Sequence, residues 1–269
     1  MSRPSFYWES HKRSIINNRL AWFCEPADES FWYNYWQKWV TPQYYLAAYQ
    51  ANLHDDEFGK ILLKELNPLG LHLEAGCGAA YWVAVLQQHG FNIDGVEYAQ
   101  NLVKHVQTIN PTLPIRYGDA LNLNCPDNCY DSYLSFGVVE HRFEGPEPFL
   151  EEAFRVLKAN GKMIISVPYF GWLRHITAKF KRDSPSSQLE FFQYGFTRTE
   201  FCSLLEDVGF IINYCSYLYV HRLIIEEIKL YRWLVYSRGG HRFKKIAEHS
   251  LGNKDGHMLL VVAHKPEDS

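Results

Sequence analysis

Residues 71–80 read LHLEAGCGAA, and this stretch decides the fold prediction. Leu71 and Leu73 alternate with other residues, as in a buried strand, and the strand leads into two glycines. Apolar residues then recur at helical spacing over residues 79–89, before Gly90. The glycines therefore lie between a strand and the beginning of a helix, where open α/β sheets bind nucleotides. The sequence predicts a small-molecule site at this turn.

The spacing of the glycines narrows the kind of site. Gly76 and Gly78 lack the third glycine of a dinucleotide-binding fingerprint, because Tyr81 stands in its place. The loop also lacks the Gly-Lys-Ser/Thr ending of a phosphate-binding P-loop. A plain strand-to-helix turn remains an alternative for this segment taken alone.

The composition favours a globular chain. The 269 residues are 47% hydrophobic and carry a net charge of −3, which suits one large α/β domain with additions. The charge argues against nonspecific nucleic-acid binding, so no nucleic-acid partner is predicted. No apolar run has the length of a membrane span, and the first residues lack the apolar core of a signal peptide. A cytoplasmic location is the expectation.

The cysteines do not indicate a metal site. Six of them are scattered along the chain, and free thiols are expected. Cys125 and Cys129 are four residues apart, with no second matching pair and no neighbouring histidine cluster. No metal is predicted.

An aromatic-rich segment precedes the glycine loop. Residues 1–30 have no regular pattern, whereas residues 31–40 bring seven aromatic or large apolar side chains together. Apolar spacings of three and four then predict two helices within residues 42–66. Residues 1–66 are therefore expected to form an N-terminal helical and aromatic cap segment, and residues 67–269 a single domain.

Strands and helices alternate beyond the loop. Further strands are predicted over residues 91–97, 113–120, 130–136 and 162–168, with helices between them. Strict alternation predicts a parallel sheet with helices on both faces.

Five segments together resemble class I S-adenosylmethionine-dependent methyltransferases, in the broad small-molecule group that includes ubiquinone and menaquinone biosynthesis enzymes. These segments are EAGCG (74–78), VE (96–97), GDA (118–120), residues 131–141 and RVLKANGK (155–162). Ala80 stands where the third glycine of the family's first motif often lies. The resemblance covers about residues 65–215 and implies a Rossmann-like, doubly wound α/β fold with seven strands, mostly parallel.

The resemblance also places the later elements. It implies a sixth strand over residues 211–220 and an antiparallel last strand over residues 257–264. The helix before them is expected to begin at Thr197, with Glu200 closing a capping box, and to end at Gly209. Two insertions, residues 170–194 and 221–256, are expected to shape the acceptor pocket together with residues 1–50, as insertions do in related enzymes.

S-adenosylmethionine is the cofactor that the resemblance implies. Glu97 can accept both ribose hydroxyls of an adenosyl group, and Asp119 can accept a hydrogen bond from the adenine amino group. The aromatics of residues 31–40 are expected to roof this pocket, with plain packing on the sheet as the alternative. The predicted cofactor-binding residues are Glu74, Ala75, Gly76, Cys77, Gly78, Glu97, Tyr98, Asp119, Ala120, Phe136 and Gly137.

The expected reaction is transfer of a methyl group to a small-molecule acceptor, such as a quinone precursor, a sugar or a lipid-linked intermediate. His141 follows the fourth strand and is the candidate general base, with a structural role as the alternative. Gly137 stands where some quinone-pathway relatives carry an acid that helps to bind a metal. A noncatalytic S-adenosylmethionine-binding or sensing module is the alternative function, although the intact acids Glu74, Glu97 and Asp119 argue against it.

Both insertions place basic residues beside large apolar ones. The first contains Trp172, Ile176 and Phe180 among Arg174, Lys179, Lys181 and Arg182, and the second contains a candidate helix over residues 223–236 followed by Arg238, His241, Arg242, Lys244 and Lys245. This pairing predicts contact with an anionic membrane surface or an anionic acceptor, with a solvated face as the alternative. The sequence leaves the oligomeric state open.

Overall fold

The computed structural model describes residues 12–180, 189–235 and 254–267. The strands are β1 Lys12–Ile16, β2 Arg19–Cys24, β3 Leu71–Ala75, β4 Asn92–Glu97, β5 Ile115–Tyr117, β6 Tyr130–Phe136, β7 Leu157–Pro168, β8 Glu190–Gly195, β9 Ile211–Leu218 and β10 Met258–His264. The helices are α1 Glu29–Trp36, α2 Pro42–Tyr49, α3 Glu57–Glu65, α4 Tyr81–Gln88, α5 Gln100–Ile109, α6 Glu147–Val156, α7 Trp172–Phe180, α8 Arg198–Val208, α9 Val220–Glu227 and α10 Lys229–Val235.

A seven-stranded sheet forms the centre of the molecule. Its strand order is β5-β4-β3-β6-β7-β10-β9. The pairs from β5 to β7 are parallel, whereas β10 runs antiparallel to both of its neighbours, β7 and β9. The order reverses at β3, so the glycine loop that follows β3 opens at the switch point of the sheet. The predicted fold class is confirmed.

Apolar layers cover both faces of this sheet. One layer packs Leu62, Val83 and Leu102 from α3, α4 and α5. The opposite layer includes Leu150 of α6 and Phe201 of α8. Each fully buried side chain of this kind contributes roughly 1.5–3 kcal/mol, so the two layers hold the strand ends in place.

A hairpin lies where the sequence has no regular pattern. Strands β1 and β2 are joined by Asn17 and Asn18, both with positive φ (49° and 64°), as a two-residue hairpin turn of this hand requires. Strand β2 then pairs antiparallel with β8, which makes a second sheet of three strands. The Asn17–Asn18 pair is a local turn signal, whereas the pairing with β8 joins segments that are far apart in the chain.

Two local expectations need correction. The helix predicted over residues 223–236 is two helices, α9 and α10, because Ile228 adopts an extended conformation between them. Thr197 caps α8 as predicted, accepting a hydrogen bond from the Glu200 amide at 3.3 Å, and Gly209 ends it with φ 113°. The Glu200 side chain accepts instead from Arg19 Nε at 2.5 Å, so it does not close the capping box.

The first insertion is only partly the basic surface that the sequence predicts. Trp172, Ile176 and Phe180 are exposed on α7, but Arg174 is 2% exposed. Its guanidinium lies 3.4 Å from Glu226 and 3.6 Å from Glu227 of α9, because a buried cation needs a counter-ion. Lys179 is exposed, and the other predicted basic residues lie in residues 181–188 and 236–253, outside the described residues. Within the described ranges, no helix has the length and apolarity of a membrane span.

Candidate functional site

The loop after β3 turns tightly beneath α1. Gly76 and Gly78 have positive φ angles of 76° and 53°, which side chains rarely adopt. The amides of Gly76 and Cys77 donate to the Val96 carbonyl at 2.8 and 3.0 Å, which ties the loop to β4. A Cβ atom on Gly78 would lie 2.7 Å from the Trp36 ring, so only glycine allows this approach.

Glu97, the last residue of β4, holds the other side of the loop. Its Oε2 accepts from the Gly78 amide at 2.8 Å, and its Oε1 accepts from the Ala99 amide at 2.9 Å. Burial raises the pKa of this carboxyl, while the backbone donors act to lower it. Each carboxylate oxygen has a further lone pair, so Glu97 can still accept two hydroxyl groups.

A cavity of about 320 Å³ opens beside this loop. We call it the loop cavity. It is lined by Trp32, Trp36, Gly76, Glu97, Tyr98, Gly118, Asp119, Ala120, Leu121, Phe136, Gly137, Val138, His141 and Phe149. Its floor is therefore the carboxyl edge of β3, β4, β5 and β6, and α1 supplies the two tryptophans. The volume lies in the range of small-molecule sites.

The structure brings most of the predicted cofactor-binding residues to the loop cavity. Those that line it are Gly76, Glu97, Tyr98, Asp119, Ala120, Phe136 and Gly137, and the predicted base His141 lines it too. Glu74, Ala75, Cys77 and Gly78 do not line it: they belong to β3 and to the inner side of the loop. Gly78 still acts on the site, through its hydrogen bond to Glu97.

The lining includes residues that sequence analysis did not single out. Trp32 and Trp36 belong to the aromatic stretch that was expected to roof the pocket. Gly118 precedes the predicted Asp119, so its position followed from the same motif. Val138 and Phe149 had no signal, because nothing in their local pattern separates them from core residues.

Glu74 is a buried carboxyl beneath the loop. It is 4% exposed, and among the described residues its Oε2 accepts no hydrogen bond. Burial raises its pKa to about 8; a hydrogen bond from the Val83 backbone lowers the value, and the charge of Glu97 raises it. Glu74 thus links β3 to the first turn of α4, behind the loop cavity.

A second cavity, of about 340 Å³, lies on the other side of α1 and the end of β6. We call it the aromatic cavity, because eight of its lining residues are Trp, Tyr or Phe. It is lined by Trp32, Tyr35, Trp36, Phe58, Trp82, Phe136, Gly137, Glu140, His141, Ser166, Pro168, Phe192, Gln193, Leu218, Tyr219, Arg222, His257 and Met258. Strand β8 and helix α9 supply part of this wall, so the N-terminal segment and both predicted insertions reach it.

The two cavities share a wall. Trp32, Trp36, Phe136, Gly137 and His141 line both of them. A molecule in the loop cavity and a molecule in the aromatic cavity therefore meet at these five residues.

His141 stands in this wall, at the end of a short 3₁₀ turn formed by Val139–His141. Its Nδ1 lies 2.7 Å from the Phe192 carbonyl oxygen, which can only accept, so Nδ1 carries the proton. The ring packs edge-on against Trp32 and Phe192, with centroids 4.8 and 4.7 Å away. Burial lowers its pKa to about 4, against hydrogen bonds to the Phe192 and Gly137 backbones that act to raise it, so the ring is neutral near pH 7. With the proton on Nδ1, Nε2 has the lone pair of the ring.

Glu140, in the same turn, is a second buried carboxyl. It is 2% exposed, and its Oε2 has no hydrogen-bond donor among the described residues. Its Oε1 lies 3.5 Å from where a Cβ atom on Gly137 would stand, beside the shared wall. Burial raises its pKa to about 8.

No cluster of three or more His, Cys, Asp or Glu side chains that could hold a metal ion is found among the described residues. The six cysteines, all within the described ranges, are free thiols. Cys202 and Cys215 lie closest together, with their Sγ atoms 3.5 Å apart.

Part of the chain is similar to a known protein family. Residues 73–165 match the model of a methyltransferase domain. The segment contains the glycine loop, Glu97, Asp119 and the shared-wall residues from β6 onward, but neither α1 nor the two insertions.

Two further comparisons extend this result. The chain is 33% identical over 141 residues to a probable S-adenosylmethionine-dependent methyltransferase of Mycolicibacterium smegmatis, and the match covers 52% of each chain. A crystal structure of an S-adenosylmethionine-dependent methyltransferase from Methanosarcina mazei shares the fold, with a TM-score of 0.56, 18% identity, and coverage of 77% of this chain and 97% of that one. The predicted resemblance to class I methyltransferases is confirmed.

The fold alone does not identify the reaction. A crystal structure of a [4+2]-cyclase also matches, with a TM-score of 0.53, 17% identity, and coverage of 87% of this chain and 97% of that one. The chain spans about half of the relative from Mycolicibacterium smegmatis. The activity of the whole chain therefore has to be argued from its own two cavities.

Proposed function

We propose that the protein is an S-adenosylmethionine-dependent methyltransferase that acts on a small molecule. The observation that supports this most is the shared wall: the loop cavity and the aromatic cavity meet at Trp32, Trp36, Phe136, Gly137 and His141. A methyl transfer needs a donor and an acceptor held in line, and two cavities that open onto one wall supply that arrangement.

The residues of the loop cavity fit the cofactor. Glu97 would accept the ribose hydroxyls with the lone pairs that Gly78 and Ala99 leave free. Asp119 lines the same cavity, and its Oδ1 is oriented by the Leu121 amide at 2.9 Å. When it is bound, the cofactor supplies an electrophilic methyl group on a sulfonium. Trp32 and Trp36 would then face this cation, which aromatic rings attract.

His141 is the candidate base for an acceptor that must lose a proton. Its neutral ring faces both cavities and has a lone pair on Nε2. The hydrogen bond to Phe192 and the packing against Trp32 also suit a positioning role for the ring. The acceptor in this proposal is a small molecule, such as a quinone precursor, a sugar, a lipid-linked intermediate or another small metabolite.

A noncatalytic binding or sensing module is the other candidate function. The existence of a second cavity favours the enzyme, because sensing of the cofactor alone needs no separate aromatic cavity beside it. Purified protein is expected to gain heat stability with S-adenosylmethionine and not with NAD, and to form S-adenosylhomocysteine in a metabolite extract. Stabilisation without any product would support the sensing module instead.

We also propose that the outer face of α7 contacts an anionic membrane surface or the anionic part of an acceptor. Trp172, Ile176 and Phe180 recur every four residues and are 45%, 48% and 84% exposed, with Lys179 exposed beside them. The protein is expected to sediment with phosphatidylglycerol vesicles at low salt and less at high salt, and Phe180→Glu should weaken this. Absence of binding at low salt would exclude the membrane.

A further inference from the structure

One ionisable side chain of the aromatic cavity has no counter-ion. Four side chains with acidic or basic groups line it: Glu140, His141, Arg222 and His257. Burial lowers the pKa of both histidines to about 4, so they are neutral near pH 7. Arg222 has a counter-ion, since its Nε lies 3.1 Å from Glu226. Among the described residues, Glu140 is therefore the ionisable group of this cavity that has no partner of opposite charge.

The Glu140 carboxyl has a backbone hydrogen bond from its own residue, but its buried Oε2 has no donor among the described residues. An unpaired buried oxygen is costly, and a bound ligand that donates to it would remove that cost. Glu140 lies next to Gly137, which lines both cavities, so its carboxyl stands beside the shared wall. A ligand group that pairs with Glu140 would thus be close to the place where donor and acceptor meet. A cationic donor suits this carboxyl best, because it supplies both the missing hydrogen bond and the charge that keeps Glu140 as a carboxylate.

The other walls favour the same kind of ligand. Trp32, Trp36 and Phe136 stand at the shared wall, and five more aromatic residues complete the cavity. Aromatic faces attract ammonium groups, above all desolvated ones. An alcohol of the same shape would gain neither the ion pair nor the attraction of the rings.

We propose that the aromatic cavity takes an acceptor with a protonated amine, which Glu140 binds as a carboxylate and whose nitrogen receives the methyl group. This inference rests on the proposed function. The Glu140 carboxylate accepts a proton from the bound ammonium, which frees the lone pair of the nitrogen. The new N–C bond forms as the C–S bond breaks, and the electron pair of that bond stays on sulfur. The methylated nitrogen keeps one positive charge, and Glu140 later releases its proton to solvent.

Matched probes test this without knowledge of the natural acceptor. Benzylamine with benzyl alcohol, and phenethylamine with phenethyl alcohol, are titrated calorimetrically into the protein, with and without S-adenosylhomocysteine. Each amine is expected to bind about tenfold more tightly than its alcohol, the difference that a charged hydrogen bond makes. Binding of the amine should also release a proton, seen as a dependence of the heat on the buffer, because protonated Glu140 becomes a carboxylate.

Two variants locate the effect. Glu140→Gln keeps the size of the side chain and should abolish both the preference for amines and the proton release. Glu144→Gln makes the same change in the same loop at a side chain that is 68% exposed, and should behave as the wild type. Amines that bind no better than their alcohols, or a preference that persists in folded Glu140→Gln, would overturn the inference. Failure of S-adenosylhomocysteine to bind would overturn the proposed function instead. The titrations of the free protein would still show whether the aromatic cavity prefers an amine to its alcohol.

Discussion

The loop cavity and the aromatic cavity share a wall, yet they are built from different parts of the chain. The loop cavity is formed mainly by the ends of β3, β4, β5 and β6, which lie within the matched domain at residues 73–165. The aromatic cavity takes much of its lining from α1, β8 and α9, outside that domain. The difference indicates that one region holds what the family has in common and the other holds what distinguishes this chain. It also predicts that variants in the two regions will separate cofactor binding from acceptor binding.

The largest effect is expected at the shared wall. His141→Ala should lower turnover about 100-fold or more if His141 is the base, with little change in affinity for S-adenosylhomocysteine. His141→Asn retains a side-chain N–H for the Phe192 carbonyl but removes Nε2, so it should be as inactive as His141→Ala. The measurement is the rate of S-adenosylhomocysteine formation in a metabolite extract, beside calorimetry. Recovery of turnover in His141→Asn would assign the residue to positioning.

The position of the loop cavity could be predicted from the sequence because its signals are local. Gly76, Gly78 and Glu97 stand at fixed distances along the chain, and each has a chemical role that its residue type suggests. The contact of Trp36 with Gly78 and that of Phe192 with His141 join distant segments, so no spacing along the chain encodes them. The same reason applies to the pairing of β2 with β8, which lies far along the chain, but not to the β1–β2 hairpin, whose two-residue turn is local.

The second effect is confined to the loop cavity. Glu97→Ala removes a carboxylate that would bind the ribose and that also fixes the Gly78 and Ala99 amides. Affinity for S-adenosylhomocysteine should fall by on the order of 2 kcal/mol or more in calorimetry. Asp94→Ala is the control, because Asp94 is an acid of the same strand, β4. Its carboxylate pairs with Arg116 at 3.2 Å and does not line the loop cavity. Unchanged affinity in Glu97→Ala would contradict the assignment.

A smaller effect on cofactor affinity is expected from replacing Gly78 by alanine, with Gly90, a glycine of similar backbone conformation, as the comparison. Gly78 and Gly90 have φ of 53° and 85°, so alanine at either position is strained by about 1 kcal/mol. Only at Gly78 would the new methyl group meet a neighbour, the Trp36 ring at 2.7 Å. Both variants should melt at lower temperature, but only Gly78→Ala should bind S-adenosylhomocysteine more weakly, by roughly tenfold. Equal loss of affinity in both would show that strain, and not the α1 contact, shapes the loop.

The smallest effect is on the pH dependence of stability. It arises from the two buried carboxyls, Glu74 behind the loop cavity and Glu140 in the aromatic cavity. Burial raises the pKa of both to about 8, from an ordinary value of 4.5. The native state therefore holds these protons more tightly than the unfolded chain, so their contribution to stability is complete below pH 4.5 and is lost as the pH rises through 8. His141 and His257, whose pKa values are lowered to about 4 from 6.5, reduce stability only as the pH falls below 6.5, so a comparison at pH 7 and 9 largely avoids their window.

Scanning calorimetry of the free protein at these two pH values should thus show a drop in melting temperature at pH 9. Glu140→Gln should reduce the drop by a few degrees, about what 1 kcal/mol produces in a domain of this size. Glu144→Gln, the exposed control, should leave it unchanged. Bound amine would supply Glu140 with its missing cation, so saturating benzylamine should reduce the drop in the wild type and not in Glu140→Gln. S-adenosylhomocysteine should leave the drop unchanged, because Glu140 does not line the loop cavity in which it would bind. An equal reduction of the drop by both ligands would mean that Glu140 senses occupancy of the shared wall in general and not the charge of the acceptor.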